Sequence, residues 1–364
     1  MNSEQVLPLI NDSVRSLKAY HLSPEQFRIK LNQNENPYDC PQSIKAEAAR
    51  FCSERPWNRY PDFIPESLKQ ALADYAGVSP GQIIAGNGSN EMLLILLLSL
   101  ANKHRRVITC QPTFTVYHLL ASGMGCPEHM VALRDDLTYD VQGICDALTQ
   151  FKGSVLILCS PNNPTGTSLS EHDLRTILTM HDGMCILDQA YVEFGGYNAV
   201  DLLKEYSNLI ITRTFSKALG GAGLRLGYML GAPEVIGQIN KIKLPYNINF
   251  FSSHVAELLL RRKEEIEPFL AESIRERDAL QSFLTQLSLQ NVYESDSNFI
   301  LIRTERKQQL FSFLKNKGIL IRDVSSYPKL ENCLRISIGK PEENQALKDA
   351  LQEFFVGTTS KESI

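Results

Sequence analysis

The sequence predicts an α/β protein: a large unit built on a mostly parallel sheet flanked by helices, followed by a small α+β unit at the C-terminal end. Three observations carry that expectation. From residue 82 onward, short apolar runs alternate with runs of helical period, the pattern of strands joined by covering helices. After residue 287, strand-like and helix-like runs are mixed over a shorter stretch. Polar groups capable of chemistry fall just past the ends of several apolar runs, where α/β sheets bind their ligands.

The N-terminal 1–30 are polar with little periodicity and read as an arm that packs over the main body or a neighbouring subunit. The large unit is placed at 31–250. Within it, 42–54 and 65–76 read as amphipathic helices, with Tyr60 in the loop between them. Gln82-Ile83-Ile84-Ala85 reads as a strand leading through Gly86-Asn87-Gly88-Ser89-Asn90-Glu91 into an apolar helix from Met92 to Leu100. Further strands are expected at 106–109, 154–158 and 184–187, with helices at about 116–122 and 170–181 between them. A helical connector at 251–287 should bend or break at Pro268, because proline lacks the N–H that a helix interior needs. The small unit, 288–364, should hold strands at 297–302, 319–321 and 334–338 and helices at about 306–315 and 341–355.

Composition narrows the function. With 364 residues, 43% of them hydrophobic and 21% charged, the chain can bury a large core. A net charge of -4 argues against a nucleic-acid surface, which calls for a basic stripe. The eight cysteines form no C-x-x-C pair and the seven histidines no H-E-x-x-H, so neither a metal nor a redox site is expected. The longest apolar run, Met92 to Leu98, is far short of the ~20 residues of a membrane helix, and the start is unlike a signal peptide. A cytoplasmic enzyme acting on small molecules is the expectation.

The chemistry centres on Lys217 in Thr214-Phe215-Ser216-Lys217-Ala218-Leu219-Gly220-Gly221-Ala222-Gly223-Leu224-Arg225, which follows the apolar run Leu209-Ile210-Ile211. A lysine between hydroxyls, with a glycine-rich loop and an arginine after it, suits an imine beside a bound phosphate. Pyridoxal phosphate carries both the aldehyde and the phosphate. The strand, glycine loop and helix start at Gly86–Glu91 are a second candidate phosphate site, since the first N–H groups of a helix lack internal partners; a plain structural turn fits the same residues.

Asp188 ends an apolar run, so its carboxylate is expected to be partly buried beside a cation such as a protonated pyridine, or else to cap a helix. Asn163 and Tyr191 are suited to bond the pyridine phenolate oxygen, and Tyr117 to cover the ring face. Arg322 and Arg335, on two strands, make an anion site if they converge; Arg322 could instead pair with Asp323.

These residues resemble the fold-type-I pyridoxal-phosphate aminotransferases, most closely the histidinol-phosphate aminotransferase family. The resemblance covers nearly the whole chain and rests on Asn34-Glu35-Asn36-Pro37, Arg59-Tyr60-Pro61, Gly86 to Glu91, Pro112-Thr113-Phe114 with Tyr117, Ser160-Pro161-Asn162-Asn163-Pro164-Thr165-Gly166, Asp188-Gln189-Ala190-Tyr191, Thr214 to Tyr228, and Cys333 to Gly339. It implies that Lys217 forms the covalent link to the cofactor, Asp188 pairs with the ring nitrogen, Asn163 and Tyr191 contact the phenolate oxygen, and Tyr117 stacks on the ring. The cofactor phosphate would be held by the Ser89 and Asn90 backbone, Thr214, Ser216 and Arg225, with Tyr60 reaching in from the other subunit of a homodimer. Position 90 is often Asp in the family and is Asn here, a change that a backbone contact tolerates. Tyr20, Arg322 and Arg335, with Asn163, would face the substrate. The implied reaction is amino transfer between L-histidinol phosphate and 2-oxoglutarate in histidine biosynthesis. An aromatic amino-acid aminotransferase and a threonine-phosphate decarboxylase-like enzyme share most of the motifs.

Overall fold

The computed structural model describes residues 3–17 and 27–359. Its strands, in chain order, are β1 Ile29–Leu31, β2 Ile83–Gly86, β3 Val107–Gln111, β4 Glu128–Ala132, β5 Val155–Cys159, β6 Met184–Asp188, β7 Leu209–Thr214, β8 Gly227–Leu230, β9 Asn291–Val292, β10 Phe299–Arg303, β11 Ile319–Asp323 and β12 Cys333–Ser337. Seven form one sheet in the order β2-β8-β7-β6-β5-β3-β4, and five form another in the order β1-β11-β12-β10-β9.

In the larger sheet, β4, β3, β5, β6 and β7 run parallel, while β8 is antiparallel to both of its neighbours. Alternation along the strands sorts their side chains to two faces. Ile84, Val107, Ile157, Ile186, Ile210 and Met229 join one core with Met92, Leu93, Leu96 and Leu97 of the helix Gly88–Leu100. Ile83, Ile108, Leu156, Leu158, Leu187 and Ile211 join the other, against the helices Gln42–Glu54, Glu66–Ala76, Val141–Gln150 and Glu171–Met180. Both faces are therefore covered, as the near-continuous apolar strands require. Each fully buried Leu or Ile contributes about 1.5–3 kcal/mol.

The smaller sheet packs one face on helices and turns the other toward the larger unit, where Phe299 meets Tyr191 and Phe194. Ile300, Ile302, Leu334 and Ile336 pack with Leu280 and Leu284 of the helix Glu267–Leu284, Leu310 and Leu314 of Lys307–Asn316, and Leu347 and Leu351 of the helix that begins at Pro341. Period two then sends Arg335 and Ser337 to the opposite face, away from those helices. Arg322 on β11 is the register partner of Arg335 on β12.

The sequence reading assigns no element to β4, β8 or the helix Val141–Gln150, and two further features depart from the expectations. The end of the N-terminal arm supplies β1, which pairs parallel with β11 and buries Ile29 and Leu31 on either side of exposed Lys30. Three residues are too few for alternation to stand out in the sequence. The connector breaks before Pro268: one helix covers Phe250–Arg261, a short 3-10 turn covers Lys263–Glu265, and Pro268 lies in the first turn of Glu267–Leu284. There its missing N–H has no intrahelical partner to lose. All eight cysteines are free thiols.

Candidate active site

The parallel strands end on a common rim, and the cavity lies there. It measures about 460 Å³ and takes in the carboxyl ends of β5, β6 and β7 at Cys159, Asp188 and Thr214. Ser89 and Asn90, from the first turn of Gly88–Leu100, close one end. Arg322 and Arg335 of the smaller sheet close the other, and Lys217 lies between, beside Asn163, Tyr191, Ser216 and Arg225.

The phosphate-sized end is built by close backbone approach. Gly88 adopts φ +77°, and a Cβ there would lie 2.9 Å from Nη2 of Arg225. A Cβ on Gly227 would lie 2.3 Å from the backbone nitrogen of Ser89, so only glycine lets β8 run beside that helix start. The backbone N–H of Ser216 donates to Thr214 Oγ1 at 3.1 Å, and the Thr214 and Ser216 hydroxyls lie 3.0 Å apart. Arg225 Nη1 lies 3.4 Å from the Ser216 hydroxyl and donates to the Ala222 carbonyl at 3.0 Å. A guanidinium, two hydroxyls and the open N–H groups of a helix start converge here, which suits a phosphate dianion.

At the opposite wall, Asp188 is 3% exposed. Its Oδ2 accepts from the Tyr117 hydroxyl at 2.7 Å and its Oδ1 from the Ala190 N–H at 3.1 Å. Burial raises its pKa, and these hydrogen bonds only oppose that rise. A cationic ring nitrogen would offset the lost solvation. Tyr117, expected to cover a ring face, also has this hydroxyl contact, and burial lifts its own pKa well above the ordinary value.

Lys217 Nζ donates to the carbonyl of Gln33 at 3.0 Å and sits 5.7 Å from the centre of the Tyr191 ring. Its enclosure, reinforced by the positive charge of Arg335, brings its pKa down to about 7. The amine is thus available in its nucleophilic form near neutral pH. Arg335 donates to Asn163 Oδ1 at 2.5 Å and to the Asn32 carbonyl at 2.9 Å. With its oxygen so engaged, Asn163 offers its N–H groups to the cavity. Asp323, the candidate partner for Arg322, takes a 2.7 Å salt bridge from Lys307 and the backbone N–H of Ser325 at 2.9 Å.

Tyr60 does not join these residues within one chain. It is 79% exposed and stacks on Tyr246 with ring centres 4.6 Å apart. Tyr20 lies outside the described residues. The sequence reading missed Gln33, Asn34 and Tyr327, which also line the cavity. Asn34 falls within the Asn34-Glu35-Asn36-Pro37 motif, but its contacts reach residues about 160 and 300 positions away, so no local pattern reveals them. Among the described residues, no cluster of three or more His, Cys, Asp and Glu could hold a metal, and no helix is long and apolar enough to cross a membrane.

A model of the family described as aminotransferase class I and II matches residues 28–351. The histidinol-phosphate aminotransferase of Chlorobaculum tepidum is 37% identical over 351 residues, covering 95% of this chain and 100% of the relative. That of Prosthecochloris aestuarii is 38% identical, covering 94% and 97%. Among solved structures, the histidinol-phosphate aminotransferase of Sinorhizobium meliloti in complex with pyridoxal-5'-phosphate shares the fold, with a TM-score of 0.85, 23% identity and coverage of 95% and 97%.

Proposed function

Because the chain belongs to the class I and II aminotransferases, whose chemistry depends on pyridoxal phosphate, we propose that it transfers the amino group between L-histidinol phosphate and 2-oxoglutarate in the cytoplasm. The observation that carries this reading is the pairing, in one cavity, of a lysine with a lowered pKa and two arginines on adjacent strands. Histidinol phosphate brings a phosphate and no carboxylate, whereas glutamate brings two carboxylates and no phosphate. One end of the cavity must therefore accept either anion, and a pair of guanidiniums can do so. Comparing L-histidinol phosphate, L-phenylalanine and L-threonine phosphate as sole amino donors, with released carbon dioxide measured alongside, tests the reading. Preference for phenylalanine, or carbon dioxide from threonine phosphate, would replace it.

The residues fit the cofactor. Arg225, Thr214, Ser216 and the Ser89 and Asn90 backbone would hold its phosphate, Asp188 its ring nitrogen, and Asn163 and Tyr191 its phenolate oxygen, with Tyr117 against the ring. When bound, pyridoxal phosphate supplies an aldehyde that captures amines and a ring that withdraws electrons from the carbon beside them. Lys217 Nζ, with a pKa of about 7, is in good part unprotonated at neutral pH and would be the amine that links to that aldehyde. The same Lys217 amine, when not linked to the cofactor, would serve as the base that moves a proton within the cavity. The Gln33 carbonyl, 3.0 Å from Nζ, orients the amine by accepting one of its hydrogens. Asp188, when ionised, would favour a proton on the ring nitrogen.

The lysine makes a pH prediction. Its pKa falls from 10.5 to about 7 on folding, so the unfolded chain binds the extra proton between those values and stability rises with pH across that window. Below about pH 7 the cost of burying the charge is present in full; toward pH 10.5 it fades. In cofactor-free protein, Lys217→Met should raise the melting temperature at pH 6, and the gain should shrink as the pH approaches 10. A gain of equal size at both pH values would contradict the assignment.

Arg335 is assigned to an anion in both half-reactions, and Arg322 more to the phosphate, whose third oxygen and extra charge can engage a second guanidinium. Arg335→Ala should therefore weaken both substrates, and Arg322→Ala histidinol phosphate more than glutamate, each lost contact costing about 2–4 kcal/mol. Half-reactions followed separately by the cofactor's absorbance decide it: equal losses for both substrates in Arg322→Ala would remove its phosphate-selective role.

Tyr60 is assigned to the cofactor phosphate of a partner subunit in a homodimer. Its exposure, together with that of Trp57, Phe63, Ile64 and Leu244, supports a covered surface, since apolar side chains in such number are costly to leave in water. If Lys217→Ala is mixed with a chain disabled by Tyr60→Phe and a second inactivating change confined to the loop that carries Tyr60, hybrid dimers should hold one intact site and regain part of the activity. No recovery, with subunit exchange verified, would count against a shared site.

A further inference from the structure

The segment that crosses between the two sheets, Asn32 to Asn36, sets the direction of a chain of hydrogen bonds ending at Tyr191. Asn34 is 1% exposed and holds φ +55°, a left-handed conformation that asparagine tolerates better than most residues. Its backbone N–H donates to the Ser337 hydroxyl at 2.8 Å, occupying a lone pair on that oxygen. The Ser337 hydroxyl donates onward to Asn34 Oδ1 at 2.9 Å. That contact fixes the side-chain amide, so its NH2 group faces the other way and donates to the Tyr191 hydroxyl oxygen at 3.1 Å. Asn298 Nδ2 holds the Asn34 carbonyl at 3.1 Å, so the segment is pinned on both sides.

The Ser337 hydroxyl keeps its hydrogen and a second lone pair after that first link, so the direction of the chain is set by the Asn34 amide, whose Oδ1 accepts from Ser337 and whose Nδ2 donates to Tyr191. A phenol has one hydrogen to give. With the Asn34 hydrogen arriving at its oxygen, Tyr191 must aim its own hydrogen elsewhere, and Tyr191 lines the cavity beside Lys217 and Asn163. We propose that Asn34 and Ser337 are positioning residues that lock the Tyr191 hydroxyl as a hydrogen donor into the cavity, where it meets the anionic ring oxygen of the bound cofactor. This rests on the reading of the cavity as a pyridoxal-phosphate site. It assigns to two residues of the smaller sheet and its strap a control over the electronics of a group held by the larger sheet.

The consequence is measurable as colour. A donor to the ring oxygen competes with the proton carried by the nitrogen joined to Lys217, so it lowers the pH at which the visible band of the loaded enzyme changes. Losing the donor should raise that midpoint by about one pH unit, the size of one hydrogen bond to a charged acceptor. Tyr191→Phe should show the full shift. Asn34→Gly, which keeps the left-handed backbone and removes the amide, should show a smaller shift in the same direction. Ser337→Ala should resemble it, and Ser337→Thr, which restores a hydroxyl, should return the midpoint toward its starting value. In the Tyr191→Phe background, Asn34→Gly and Ser337→Ala should add nothing. None of these substitutions alters the charged groups that line the cavity, namely Lys217, Asp188, Arg225, Arg322, Arg335 and Glu35.

Equal shifts from Asn34→Gly with and without the Tyr191 hydroxyl would overturn the proposal, as would a shift in Tyr191→Phe with none in Asn34→Gly. No shift in Tyr191→Phe would overturn it too. Should Asn34→Gly not fold, the comparison of Ser337→Ala with Ser337→Thr carries the same decision. If unaltered protein develops no visible band with pyridoxal phosphate, the cofactor reading itself has failed, an outcome distinct from the others.

Discussion

Lys217→Ala is expected to give a folded protein that lacks the visible band of covalently held cofactor and whose turnover of histidinol phosphate falls by about 10⁴-fold or more. The change removes two functions at once, because the same Nζ serves as nucleophile and as proton carrier. The structure allots both to this one amine: it is the lysine of the cavity, its pKa is drawn down to about 7, and the Gln33 carbonyl holds it in place. The alanine variant should still bind cofactor through the phosphate end, since Arg225, Thr214, Ser216 and the helix start are untouched. Absorbance spectra and a keto-product assay check it; a covalent adduct of normal yield in the variant would contradict the role.

Asp188→Asn is expected to keep bound cofactor and lose activity by about 10³-fold. An amide is close in shape to the carboxylate and can still accept from the Tyr117 hydroxyl, which now sits 2.7 Å from Oδ2. What it cannot supply is the negative charge that keeps a proton on the ring nitrogen. Burial already raises the pKa of Asp188, so a carboxylate at this position is costly unless a cation faces it. Cofactor content measured against turnover separates the two effects, and near-normal turnover with full occupancy would rule the role out.

Much of the larger sheet was legible in the sequence because its strands contain apolar runs, such as Val155 to Leu158 and Leu209 to Ile211, that lead into polar residues. The rim positions Asp188, Asn163 and Lys217 could be found for the same reason: each follows such a run. Other features depended on distant partners. Strand Gly227–Leu230 begins at the end of the motif that follows Lys217, and its pairing with Ile83–Gly86 spans about 140 residues. The strap from Asn32 to Asn36 has no period to detect, and its function arises from contacts with Tyr191, Lys217, Ser337 and Arg335. The hydroxyl bond from Tyr117 to Asp188 is likewise tertiary, and a reading of residue types could propose only the ring of Tyr117. Tyr60 was legible as a loop residue, but a single chain leaves it on the surface, away from the cavity.

The central claim is that this cavity holds pyridoxal phosphate on Lys217, and borohydride reduction of the loaded enzyme followed by peptide mapping tests it most directly. One stable adduct per chain, on the peptide containing Lys217, is the expected result. An adduct on another lysine, or none despite bound cofactor, would contradict it.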